Sequence, residues 1–190
     1  YWRIIRINGD GTIRLIFDYN KNGNATLLTA KYHTLGNQSN HVGWTYSGTS
    51  QRTLSGTASN AKTQLESWYA SNIGNSTTYS SKIADGKYCN DRDVKSGNTW
   101  VINGSSFSYA ARERIESTKN PTLSCLSGDV YTLKVGLITA DEVLFAKTKY
   151  NSYYLSNGAN YWTMSPSDWV YNNGVRMFFV HASGTIDSGW

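Results

Sequence analysis

Apolar residues flank a polar turn at the start of the chain. Ile4, Ile5 and Ile7 precede Asn8-Gly9-Asp10-Gly11, and Ile13, Leu15, Ile16 and Phe17 follow it. Asn and Gly tolerate left-handed backbone geometry, so residues 1–19 are predicted to form a β-hairpin. A second polar turn is expected at 20–24, and residues 41–47 read as a short extended piece or an exposed loop.

The period then changes. Ala61, Leu65, Trp68, Tyr69 and Ile73 recur at three- and four-residue steps, which predicts a helix over 60–73. A second helix is expected around 77–84, with Tyr79 and Ile83 on one face, and residues 85–105 read as loop. Phe107, Ala110, Ala111 and Ile115 can share a helical face over 107–117, and Pro121 stops that helix.

The strongest apolar run is L-K-V-G-L-I-T-A-D-E-V-L-F-A at 133–146. Val135 to Ile138 read as a buried strand. Thr139 and Glu142 stand at capping-box spacing for a short helix. Residues 161–166 and 175–182 read as core strands, and Ile186 begins another after a turn at Gly184. Helices in the early and middle chain with strands at both ends predict an α+β fold with antiparallel strands. No linker or repeat divides residues 1–190, so one domain is expected.

Composition narrows the function classes. The chain has 7 Trp, 14 Tyr and 17 Gly but only 2 Pro, and charged residues make up 16%. Its polar surface is therefore built largely from Asn, Ser, Thr, Gly and Tyr. The net charge of +5 is dispersed, without the Lys/Arg cluster that tracks a phosphate backbone, which argues against a nucleic-acid partner. No apolar window is long enough for a membrane helix, so no membrane insertion by this segment is expected. The first residues read as a strand rather than an export signal.

Cys89 and Cys125 both lie among polar turn residues rather than in apolar runs, the setting of a disulfide. A disulfide would place the folded chain outside the reducing cytosol. Neither belongs to a C-x-x-C pair, so a zinc site is disfavoured.

Several segments together resemble bacterial surface-associated domains of Gram-positive organisms with a C-type-lectin-like fold. They are Y-W-R-I-I-R-I-N-G-D-G-T-I-R-L-I at 1–16, Y-C-N-D at 88–91 and the surroundings of Cys125. V-G-L-I-T-A-D-E-V at 135–143, Y-W-T-M-S-P at 161–166 and V-R-M-F-F-V-H-A-S-G-T-I at 175–186 complete the set. The resemblance spans nearly the whole chain and implies a scaffold similar to adhesin and phage-tropism domains. It extends in outline to the formylglycine-generating enzymes, but the close catalytic cysteine pair of that group has no counterpart here. The closing C-terminal strand expected of such a scaffold is missing from the sequence. That implies a domain excised from a longer, surface-attached protein, or a strand supplied by a partner.

Candidate chemistry is thin. Asp18, Asn20, Asn22 and Gly23 resemble the start of a calcium loop, but Thr29 stands where the closing Glu belongs, so an ordinary turn is the simpler reading. Asp91, Asp93 and Asp129 are a second candidate calcium set; no other cofactor is implied. Asp141 and Glu142 are the carboxylates a cell-wall hydrolase reading would use, although their positions suit capping and the first helical turn. His33, His41 and His181 fit no catalytic motif, and no nucleophile elbow, phosphate loop or dinucleotide fingerprint occurs.

The stronger lead is an aromatic and amide-rich surface. Trp44, Tyr46, Tyr153, Tyr154, Asn157, Trp169, Tyr171 and Asn173 are the candidate ligand contacts. Aromatic faces stack on sugars or anchor protein interfaces, and neighbouring amides fix orientation. The competing expectation is that some of these rings, Trp169 and Trp162 first, fill the core. Three functions follow: an extracellular recognition or adhesion domain for a glycan or cell-surface protein; a building block of a surface appendage, assembling with neighbouring domains; and an exported cell-wall hydrolase.

Overall fold

A computed structural model describes residues 1–19, 23, 31–33, 35–125, 128–146 and 154–189. It opens on the expected hairpin, β1 (Trp2–Ile7) and β2 (Ile13–Phe17), paired antiparallel with a bulge between Ile4 and Arg6. The expected polar turn at 20–24 lies outside the described residues apart from Gly23. A 3-10 turn (Ser39–His41) leads to a small ladder of β3 (Thr45–Tyr46) with β4 (Thr57–Ala58). Helix α1 (Asn60–Tyr69) is capped by the Ser59 side chain and runs on as a π-helical turn over Ala70–Gly74. The helix expected at 77–84 is a single turn, α2 (Thr77–Ser80).

The region expected as loop at 85–105 contains a strand, β5 (Gly86–Cys89). After it come β6 (Phe107–Ser108), α3 (Ala110–Arg112) with a π-helical continuation over Glu113–Ser117, and β7 (Val130–Leu133), which pairs with β5. Val135 to Ile138 form no strand, contrary to expectation. They cross the core as irregular chain, fixed where Met164 N–H donates to Ile138 O at 2.8 Å. Helix α4 (Ala140–Phe145) carries the full capping box of Thr139 and Glu142. Strands β8 (Tyr161–Val170), β9 (Gly174–Val180) and β10 (Ile186–Gly189) close the chain.

The principal sheet has the order β10-β9-β8-β6, and every pairing among the described strands is antiparallel. The fold is therefore α+β. Period-2 alternation along β9 divides its two faces. Val175 and Met177 join Tyr32, Trp44, Leu65, Tyr109, Tyr131 and Trp169 in the main core. Phe178 and Val180 face the other way, onto Ala111, Ile115 and Ala140 and onto Ile138, Val143 and Leu155.

Strand β8 is buried over Thr163–Trp169 despite its serines. Their hydroxyls are partnered: Thr163 Oγ1 donates to Phe178 O at 2.9 Å, Ser165 Oγ accepts from Ala140 N–H at 3.1 Å, and Ser167 Oγ donates to Asp168 at 2.7 Å. Pro166, which lacks an N–H, falls where the β8–β9 register shifts. No described helix is long and apolar enough to cross a membrane.

Cys89 and Cys125 form a disulfide across a sequence separation of 36. It ties the end of β5 to the segment preceding β7.

Candidate functional site

Two loops meet at the β8–β9 turn. Tyr171 N–H donates to Ser106 Oγ at 2.9 Å, and Trp169 Nε1 donates to Gly104 O at 3.3 Å. These bonds fasten loop 101–106 beside the turn. Val175 N–H donates to Gly36 O at 2.8 Å, which brings loop 35–38 to the other side. The two flanking loops are also tied together: Ser39 N–H donates to Asn103 Oδ1 at 3.0 Å, and Asn103 N–H donates to Ser39 Oγ at 2.6 Å. Asn172 (φ 64°) and Asn103 (φ 49°) take left-handed backbone, which Asn tolerates better than most residues.

This arrangement presents an aromatic-amide surface. Tyr171 is 52% exposed. Asn172 and Asn173 follow it in the turn, Asn37, Asn103 and Ser105 are exposed on the flanking loops, and Leu35 and Ile102 add apolar area. Tyr46 is half-buried, its ring 4.6 Å from that of His41, which ends the Ser39–His41 turn.

The other sequence-derived candidates divide sharply. Trp44 is 1% exposed and Trp169 2% exposed, and both belong to the main core, so neither ring has a face left for a ligand. The glycine and serine around Trp44 suggested an open loop; tertiary packing closes over the ring instead. Tyr154 is 48% exposed but stands at the other end of the domain, before β8. Its OH donates to Ile4 O at 3.1 Å, and Arg3 lies over its ring at 5.7 Å. Asn157 Nδ2 donates to Asp18 O at 3.3 Å. These two residues fasten the N-terminal hairpin rather than join the loop surface. Ten residues of β8, about 30 Å of strand, separate the two ends. Tyr153 lies outside the described residues.

A cleft of about 410 Å³ opens beneath the N-terminal hairpin, with the Cys89–Cys125 bridge in its wall. Its carboxylates are paired with arginines. Glu142 faces Arg14 at 3.0 Å and Arg6 at 3.6 Å while its other oxygen accepts from Thr139 N–H at 3.0 Å. Arg114 holds Asp141 at 2.8 Å and Asp91 at 2.7 Å. Burial works against the Arg114 charge, but the two aspartates outweigh it and raise its pKa above the ordinary arginine value. Burial also raises the pKa of Asp91, opposed by Arg114. Asp141 and Glu142 are thus held by arginines, and Glu142 also caps α4.

No known protein family matches the chain, and no curated protein or solved structure matches it either.

The oxygen-ligand candidates are likewise committed to cations. Asp18 binds Arg3 Nε at 2.8 Å, and Asp93 and Asp129 both face Arg52, the latter at 3.6 Å. Among the described residues, no group of three His, Cys, Asp or Glu side chains gathers as a metal site. Asn20 and Asn22, the other polar residues of the calcium-loop resemblance, for which an ordinary turn is the simpler reading, lie outside the described residues. His33 is buried and accepts the Gly43 N–H at 2.9 Å, and His181 stands 3.5 Å from Asp187. Sequence reasoning missed the contribution of loops 35–38 and 101–106. The only local signal was their density of Asn, Gly and Ser.

Proposed function

We propose that the chain is an extracellular recognition or adhesion domain on a C-type-lectin-like scaffold, binding a glycan or a cell-surface protein through the loops around the β8–β9 turn. The observation that carries this reading is the exposed ring of Tyr171, standing among Asn172, Asn173 and Ser105 on loops that are hydrogen-bonded to one another. A rigid aromatic face flanked by amides supplies stacking area and orientation at low entropic cost. The disulfide suits an oxidising compartment.

The test is binding of the purified domain to an array of glycans and surface proteins, in calcium and in chelator, alongside Tyr171→Ala and Asn173→Ala. A selective ligand should lose at least about tenfold in affinity with Tyr171→Ala, while the melting temperature stays unchanged. Undiminished binding by both variants rejects this surface.

A second reading, a building block of a surface appendage, draws on a different feature. Trp2, Ile4, Ile7, Ile13 and Leu15 are exposed on the β1–β2 hairpin, with Trp2 opposite Phe17 and Ile4 opposite Leu15. Such contiguous apolar area favours burial against another protein surface. Sedimentation of the purified protein discriminates the readings: self-association favours assembly, and a monomer favours free recognition.

A further inference from the structure

The β1–β2 hairpin is turned inside out. Its register sets Trp2 opposite Phe17, Ile4 opposite Leu15 and Ile7 opposite Ile13, so these six side chains share one face in three rungs. Arg3, opposite Ile16, and Arg6, opposite Arg14, lie on the other face. That second face is the one turned to the domain. Ile5 and Ile16 pack on the cluster around Ile138 and Val143. Arg3 binds Asp18 at 2.8 Å, and Arg14 and Arg6 reach Glu142 at 3.0 and 3.6 Å. The apolar face points away. Ile7 is 73% exposed, Ile13 51%, Ile4 50%, Trp2 46% and Leu15 41%. A sheet with one face in water ordinarily buries its apolar side and exposes its charges; this hairpin does the reverse.

The face is also held in place. Trp68 of α1 stands against its aromatic end, 6.1 Å from the Trp2 ring and 5.7 Å from the Phe17 ring. Along β1, Tyr154 OH donates to Ile4 O at 3.1 Å. A surface fixed in this way loses little freedom when it is covered.

Its chemistry selects the occupant. The six side chains include no charged or hydrogen-bonding group apart from the Trp2 indole N–H, so a matching surface must itself be apolar. The same face of a second copy meets that condition. A two-fold axis through the central rung lays the Trp2–Phe17 rung of each copy over the Ile7–Ile13 rung of the other, large side chains against smaller ones. A fully exposed aliphatic or aromatic side chain presents roughly 150–250 Å², so these exposures amount to on the order of 500 Å² per copy. Two copies together bury about 1,000 Å², the lower bound for a specific interface. A lipid surface fits less well. The arginines of the hairpin point inward and are paired, so they cannot form the basic rim that holds an apolar patch on anionic lipid.

We propose that a second copy of this chain covers the hairpin, in an isologous dimer whose two β1–β2 sheets stack apolar face to apolar face. The proposal rests on the assembly reading above and narrows the partner to a second copy. Such a contact uses the same patch on both copies and closes at two.

Sedimentation equilibrium of the purified protein, from about 1 to about 200 μM, should show reversible dimers with a dissociation constant on the order of 10 μM and no larger species. Ile4→Glu sets two like charges beside the two-fold axis and should raise that constant at least about a hundredfold. Ile7→Glu changes the most exposed position of the face and should raise it about tenfold, which still decides the matter if Ile4→Glu does not fold. Tyr171→Ala, on the loop surface, should leave it unchanged. Dimers that persist undiminished in both hairpin variants overturn the hairpin contact while the assembly reading stands. A monomer at the highest concentration overturns both. A monomer that instead binds phosphatidylcholine vesicles through this face assigns it to lipid and overturns the proposal as well.

Discussion

Arg114 grips Asp141 with two parallel hydrogen bonds, Nε to Oδ1 and Nη2 to Oδ2, both 2.8 Å. Side-chain exposure is 12% for Arg114 and 3% for Asp141. The same guanidinium holds Asp91, and Asp141 Oδ1 also accepts from Thr122 N–H at 2.9 Å. One arginine therefore joins the Asn90–Arg92 segment, α4 and the chain after Pro121.

Asp141→Asn should consequently cost far more than a surface substitution. It removes the charge partner of a largely buried guanidinium and turns an amide N–H toward an arginine donor. The expected loss is about 3–5 kcal/mol, read as a lower urea midpoint at unchanged m-value. A loss below about 1 kcal/mol would mean that the pair is solvated and weak.

The disulfide predicts a second, separable loss. Closing a loop over a separation of 36 residues restricts the unfolded chain, and the entropic estimate is about 4 kcal/mol. The Cys89→Ser, Cys125→Ser double variant should unfold at correspondingly lower urea. Reductant should shift the wild-type protein and leave the double variant unmoved.

The elements legible in the sequence were those with local causes. The Asn8–Gly11 turn, the 60–73 periodicity and the Thr139–Glu142 capping box each draw on residues within a few positions of one another. Strand β5 was missed because its partner β7 lies more than forty residues away and Gly86–Cys89 carries no alternating pattern. The apolar run Val135–Ile138 was expected to be a buried strand, but it forms no strand and only Ile138 is buried. Val135 and Leu137 pack on the main core and Ile138 on another cluster, all from irregular chain. Among the site residues, Tyr171 and Asn173 occupy an exposed turn, as turn-forming residues suggest. Trp44 and Trp169 read alike in sequence but are buried by long-range packing. Arg92 sits in N-D-R-D, which looks like a solvated turn, and only the tertiary structure encloses it.

Gly174 tests how the loop surface is assembled. Its φ is +112°, and an added Cβ would stand 2.5 Å from Gly36 O, the acceptor of the Val175 N–H. Gly174→Ala is strained twice, by backbone conformation and by a collision with backbone that cannot rotate away. Relief requires loop 35–38 to withdraw from the turn. The expected cost is about 3 kcal/mol, and ligand affinity should fall with it even though position 174 is buried. A stable variant with full binding would show that loop 35–38 is dispensable.

His33 gives the stability a pH signature whose sign can be worked out. Burial, reinforced by Arg92, lowers its folded pKa to about 3 from 6.5. Below pH 6.5 the unfolded chain takes up a proton that the folded protein refuses. The His33 contribution is therefore complete above pH 6.5 and is lost as pH falls toward 3, at roughly 1.4 kcal/mol per pH unit. Asp91 acts in the opposite sense. Burial raises its folded pKa above 3.8, so its contribution is present below 3.8 and is lost as pH rises through the raised value. The difference between wild type and His33→Gln isolates the histidine, because Gln can still accept the Gly43 N–H but does not titrate. Urea unfolding at pH 7 and pH 5 should show the wild type losing about 2 kcal/mol more than the variant over that interval. Parallel pH profiles would mean that His33 takes up its proton in the folded protein, and that a protonated imidazole is tolerated beside Arg92.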